Sequence, residues 1–166
     1  MNRRALAAHK SAAKTLSAIP KFAPLKRNTL PGQYKRLGSR PRVQATPLLN
    51  VSADHAVLFL WKDGEIFTDR HFYGYWILKL PGDRYLTLLE FHWHPSHKGF
   101  HCMTPCETEI DYTGRMLNNC PELSLSTVAS LDPANETDRM HLINEFCRAC
   151  GIQIVGPQNG TAELWN

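Results

Sequence analysis

The chain has 166 residues, 43% of them hydrophobic, enough for the core of one domain with an appendage. No stretch approaches the roughly 20 apolar residues that a bilayer-spanning helix needs, and the first residues lack the continuous apolar segment of a secretory signal. The net charge of +4 hides a division: residues 1–53 carry eleven Lys or Arg and no acid, whereas residues 54–166 carry eight basic and fifteen acidic residues.

That asymmetry predicts a basic arm, residues 1–47, on a mildly acidic compact domain, residues 48–166. Met1–Ile19 reads as a helix with Arg3, Lys10, Lys14 and Lys21 in one arc and small apolar residues on another side. Pro20 ends it. Residues 20–48 hold prolines 20, 24, 31, 41 and 47, so an extended or disordered linker is expected there. The arm supplies candidate phosphate contacts at Arg3, Lys10, Lys14, Lys26, Arg27, Lys35 and Arg36, with Tyr34 available to stack on a base. Two other readings stay open, a solvated tail and an acid-free targeting segment.

In the compact domain, Val57–Trp61 is an apolar run, and Lys62-Asp63-Gly64 signals a turn before a strand at Glu65–Thr68. Tyr75–Leu80 is the next strand, Pro81-Gly82-Asp83 the next turn, and Arg84–His94 a long strand. Residues 99–104 form its return partner, and residues 105–131 read as irregular. A helix follows with Asp132 as cap, Pro133 in the first turn and Gly151 at the end. Its Met140, Ile143, Phe146, Cys147 and Cys150 recur at helical spacing and should face a sheet. Ile152–Val155 and Ala162–Trp165 read as short closing strands. The fold class expected is α+β: an antiparallel meander of about five strands, packed by one C-terminal helix and preceded by a basic helical arm and a Pro-rich linker.

The strongest functional signal is Glu90-Phe-His-Trp-His-Pro-Ser-His-Lys-Gly-Phe-His-Cys-Met103. Four of the eight histidines fall within ten residues: His92, His94, His97 and His101. A four-residue loop at 95–98 opposes His94 to Gly99, Trp93 to Phe100, His92 to His101 and Glu90 to Met103. That register gathers Glu90, His92, His94 and His101 on one face and Phe91, Trp93, Phe100 and Cys102 on the other. A loop one residue longer would mix the two sets. Leu86 and Leu88 should continue the polar face, with its inner part buried.

Imidazoles titrate near neutrality, so such a cluster suits proton transfer. RNA cleaved through its own 2′-hydroxyl needs a base, an acid and a cation. His92 and His101 can exchange protons, Glu90 can orient an imidazole, and His94 adds a third ring. His97 and Lys98 at the tip, with Tyr112 and Arg115 beyond it, can contact phosphate. The same face can instead ligate zinc or iron. Inert, hydrogen-bonded histidines are the third reading. His92-x-His94-x-Ser96-His97 resembles the HxHxDH metal-binding loop of the metallo-β-lactamase fold over six residues, with Ser96 where that family has Asp. No function is carried over from it.

Cys102-x3-Cys106 and Cys147-x2-Cys150 form an imperfect zinc spacing, and Cys147 and Cys150 lie on the apolar helix face as small buried hydrophobes do. Five cysteines and no secretion signal predict reduced thiols in the cytoplasm. Together these features predict a small nucleic-acid-acting protein, a metal-independent endoribonuclease of toxin or effector type that needs no cofactor. Its partner is RNA, or else an acidic protein held by the arm. The alternatives are a non-enzymatic binding protein with structural histidines and a metal-dependent hydrolase or oxygenase.

Overall fold

A computed structural model describes residues 3–26, 30–39, 42–95, 99–103 and 131–155. In chain order the elements are α1 (Arg3–Ser11), β1 (Thr15–Leu16), β2 (Ala23–Pro24), a 3₁₀ segment (Gly32–Ser39), β3 (Val43–Ala45), β4 (Leu49–Asn50), β5 (His55–Lys62), a 3₁₀ turn (Phe67–Asp69), β6 (His71–Leu80), β7 (Arg84–His94), β8 (Gly99–Met103), α2 (Glu136–Cys150) and β9 (Gln153–Ile154). The architecture is α+β, as the sequence predicts. An antiparallel meander β5-β6-β7-β8 is extended past β5 by β3 and β4, both paired to the same strand, and by β2 beyond β3. The sheet has seven strands rather than about five. Among the described residues no helix is long and apolar enough to cross a membrane.

Alternation along the strands gives the sheet two apolar faces. Val57, Phe59, Phe72, Trp76, Phe91 and Trp93 meet Leu142, Ile143 and Phe146 of α2 on one side. Leu58, Leu60, Tyr75 and Ile77 meet Leu30, Tyr34 and Leu37 on the other. Each fully buried aliphatic or aromatic side chain contributes roughly 1.5–3 kcal/mol. The helix α2 begins later than the sequence predicts. Asn135 caps it through the Asp138 N–H at 3.2 Å, while Asp132 accepts from Ala134 N–H and pairs with Arg70. Gly151 ends it in the left-handed region, φ 65°.

Several expectations give way. Helix α1 stops at Ser11, not Ile19, because the chain turns extended to pair β1 in parallel with β9. Lys14 enforces the stop, its ammonium donating to the carbonyls of His9, Lys10 and Ala12 at 2.5, 2.9 and 2.6 Å. The expected unpacked linker instead supplies Leu30, Tyr34, Leu37, Val43 and Ala45 to the core. Its apolar residues are too sparse for a periodic signal, yet they cap a sheet face that would otherwise be bare. Glu65–Thr68 is a loop with a 3₁₀ turn, since β5 pairs directly with β6 from Lys62 opposite His71. Ile152–Val155 does close a strand, but against β1 and not the main sheet. Ala162–Trp165, Cys106 and nearly all of the 105–131 segment lie outside the described residues.

Candidate functional site

The hairpin forms in the expected register. Glu90 pairs with Met103, Phe91 with Cys102, His92 with His101, Trp93 with Phe100 and His94 with Gly99. Phe91, Trp93 and Cys102 are buried under α2, whereas Glu90, His92 and His94 face the other way and are half-exposed. The reason is the one legible in the sequence: an apolar set at period two fixes which face turns inward.

Further along β7 the expectation fails. A bulge leaves Trp76 opposite Leu89 but Ile77 opposite Thr87, so Leu88 is an extra residue. The alternation resets there. Leu86 and Leu88 join the α2-facing cluster, and Thr87 faces the other way, where its hydroxyl meets Tyr34 at 2.6 Å. The inner part of the histidine face is indeed buried, but by Tyr34, Tyr75, Ile77 and Tyr85.

The neighbouring strand completes the site with residues not picked out from the sequence. His71, Tyr73 and Tyr75 alternate on β6 as Glu90, His92 and His94 do on β7, and pairing brings the two triplets together. The Tyr73 ring lies 4.9 Å from His92, 5.5 Å from His94 and 6.2 Å from His71. His71 and His94 turn their Nδ1 atoms toward each other, with ring centroids 4.4 Å apart. Oε2 of Glu90 stands 3.4 Å from Nε2 of His92, which is shielded from solvent and, among the described residues, aligned with no hydrogen-bond acceptor. The site thus has imidazoles, phenols and one carboxylate on a shared surface. The signal that could have found its second half is the period-two recurrence His71-x-Tyr73-x-Tyr75.

The basic candidates are dispersed. Lys26 and Lys35 are exposed, and Lys35 rides on the 3₁₀ segment that packs against the same sheet face as the histidines. Arg3 opens α1, Arg36 lies in the 3₁₀ segment, and Lys10 is half-buried. Lys14 departs from the expectation of a phosphate contact. It is 3% exposed and saturated by three carbonyls, and burial pushes its pKa down. Arg27, His97, Lys98, Tyr112 and Arg115 lie outside the described residues.

Cys102, Cys147 and Cys150 are all buried, and burial pushes the Cys147 thiol up to about 12. Among the described residues no three His, Cys, Asp or Glu side chains converge as metal ligands. A second polar cluster, also unforeseen, joins His9, Lys14, Ser52 and His55 beneath α1.

No protein-family model, curated protein or solved structure matches the chain. The functional reading therefore rests on the geometry of the site.

Proposed function

We propose that this chain is a metal-independent endoribonuclease of toxin or effector type, acting in the cytoplasm through the polar face of β6 and β7. The observation that carries the reading is Glu90 beside His92, on a half-exposed surface shared with His94, His71 and Tyr73 and with His101 at the opposing position. A neutral imidazole takes the proton from a ribose 2′-hydroxyl. The oxygen attacks phosphorus, and a second imidazole, charged, gives a proton to the departing 5′-oxygen. The products are a 2′,3′-cyclic phosphate and a 5′-hydroxyl. Glu90 orients the His92 imidazole, and a tyrosine hydroxyl can donate to a phosphate oxygen. Exposed Lys35, on the segment that covers the inner part of this face, supports an anionic substrate.

The test is cleavage of varied RNAs with and without EDTA. Wild type should cut in both, His92→Ala should lose about 10²–10⁴ in rate with its fold intact, and substrates without the 2′-hydroxyl should resist. Inactivity of wild type on all RNAs would leave the binding-protein reading. Loss of cleavage in EDTA with recovery on added zinc would instead select a metal-dependent hydrolase.

A further inference from the structure

Helix α1 carries an apolar anchor and a polar one. Among its described side chains Leu6 is buried in the core. At its C-terminal turn, Nδ1 of His9 lies 3.1 Å from Nε2 of His55, the first residue of β5. The His55 ring stacks on Trp76, centroids 5.8 Å apart, and its Nδ1 is held by the Ser52 hydroxyl at 3.0 Å. Ser52 Oγ is itself fixed by the backbone N–H groups of Asp54 and His55. His55 is 5% exposed.

Two facing ring nitrogens have room for one proton. With both rings neutral, one N–H donates to the other ring. One added proton is still accommodated by a change of tautomer. A second sets N–H against N–H and places two cations about 5 Å apart, with the His55 ring away from water. The surroundings worsen this. From the turn after α1 comes Lys14 and from β6 comes Lys79, both acting on His55, while the neutral thiol of Cys150 on α2 lies near Lys14 and Lys10. The acid whose field reaches His55 is Asp54, which is exposed.

We propose that the His9–His55 pair is an acid-operated latch: it docks α1 while at most one ring is charged and releases the helix when both are. The latch is independent of the ribonuclease reading.

The direction follows from linkage. Burial first, then His9 and Lys14, lower the His55 pKa from 6.5 to about 4. The undocked form therefore binds the proton more tightly, and undocking is favoured as pH falls from about 6.5 to about 4, with little change outside that window. Across it the opening constant rises nearly tenfold per pH unit, on the order of 100-fold between pH 7.5 and 4.5.

Amide hydrogen exchange of the full chain, corrected for intrinsic rates, reads this directly. The opening constant for residues 3–16 should climb on the order of 100-fold between pH 7.5 and 4.5, while that for residues 142–150 stays level. In His55→Gln the climb should vanish, and in His9→Gln, which keeps a hydrogen-bonding group but no second charge, it should shrink. A flat wild-type profile overturns the latch. So does a climb shared equally by residues 142–150, which would mean global unfolding. An undiminished climb in both variants overturns it as well.

Discussion

Phe146 of α2 sits directly on Gly74 in the middle of β6: a Cβ placed on that glycine would lie 2.7 Å from the phenyl ring. The same ring is in edge contact with Phe59 and Phe91, centroids 5.1 and 5.8 Å away, so it has nowhere to retreat. The absence of a side chain at this one strand position sets how closely the helix approaches the sheet.

Gly74→Ala should therefore destabilise the protein by about 1–3 kcal/mol, the ordinary cost of overpacking a filled core. The shift in urea midpoint measures it. An unchanged midpoint would show that the helix can lift away without loss.

Lys14→Ala should cost about 1–3 kcal/mol, because three carbonyls that end α1 lose their shared donor away from solvent. Lys14→Arg should not rescue, as the larger guanidinium does not fit the site of a compact ammonium. Thermal denaturation of the two variants tests this, and an Arg variant as stable as wild type would count against the geometry.

The three buried thiols should resist alkylation in the native state. Attack requires thiolate, and with its pKa pushed up to about 12 the Cys147 thiol is ionised to only about 10⁻⁴ at pH 8. Cys150 is pushed up as well, by burial and then by its thiol neighbours. The sign is that reactivity grows tenfold per unit as pH rises toward 12. Iodoacetamide mass mapping of folded and urea-unfolded protein should mark Cys102, Cys147 and Cys150 in the second sample only.

Any RNA affinity should be sensitive to exposed Lys26 and Lys35 and insensitive to the charge of Lys14. Each phosphate contact removed flattens the slope of log K against log salt by about 0.7 for a single strand. Lys26→Ala and Lys35→Ala together should do so measurably in a salt titration. Deleting the whole basic segment is not the clean test, since Leu30, Tyr34 and Leu37 are part of the core and their loss unfolds a sheet face.

The hairpin was legible because Phe91, Trp93 and Cys102 alternate with polar residues, and only one loop length keeps those sets apart. The same logic missed the bulge at Leu88. A bulge resets the period with no change in composition, so nothing local in Leu86-Thr-Leu-Leu89 announces it. It also missed the start of β6, because in His71-Phe-Tyr-Gly-Tyr-Trp76 large rings stand on both faces, and the recurrence His71-x-Tyr73-x-Tyr75 is itself aromatic and so contrasts weakly with Phe72 and Trp76. His9 and His55 lie far apart in the chain and meet only through packing. Residues 20–48 looked like linker because their few large apolar residues are scattered among prolines and cations. Their burial depends on a sheet face built by residues much later in the chain.

The parallel pairing of β1 with β9 makes the order of assembly uneven. The meander β5-β6-β7-β8 joins neighbours in sequence and can form by short loop closures, whereas Thr15 meets Gln153 only after nearly all the intervening chain is in place. Non-local contacts of this kind form last and slowly. A nascent chain would thus hold a finished sheet with its first helix still unattached, and the late step would be the seating of that helix, not the making of the β-structure.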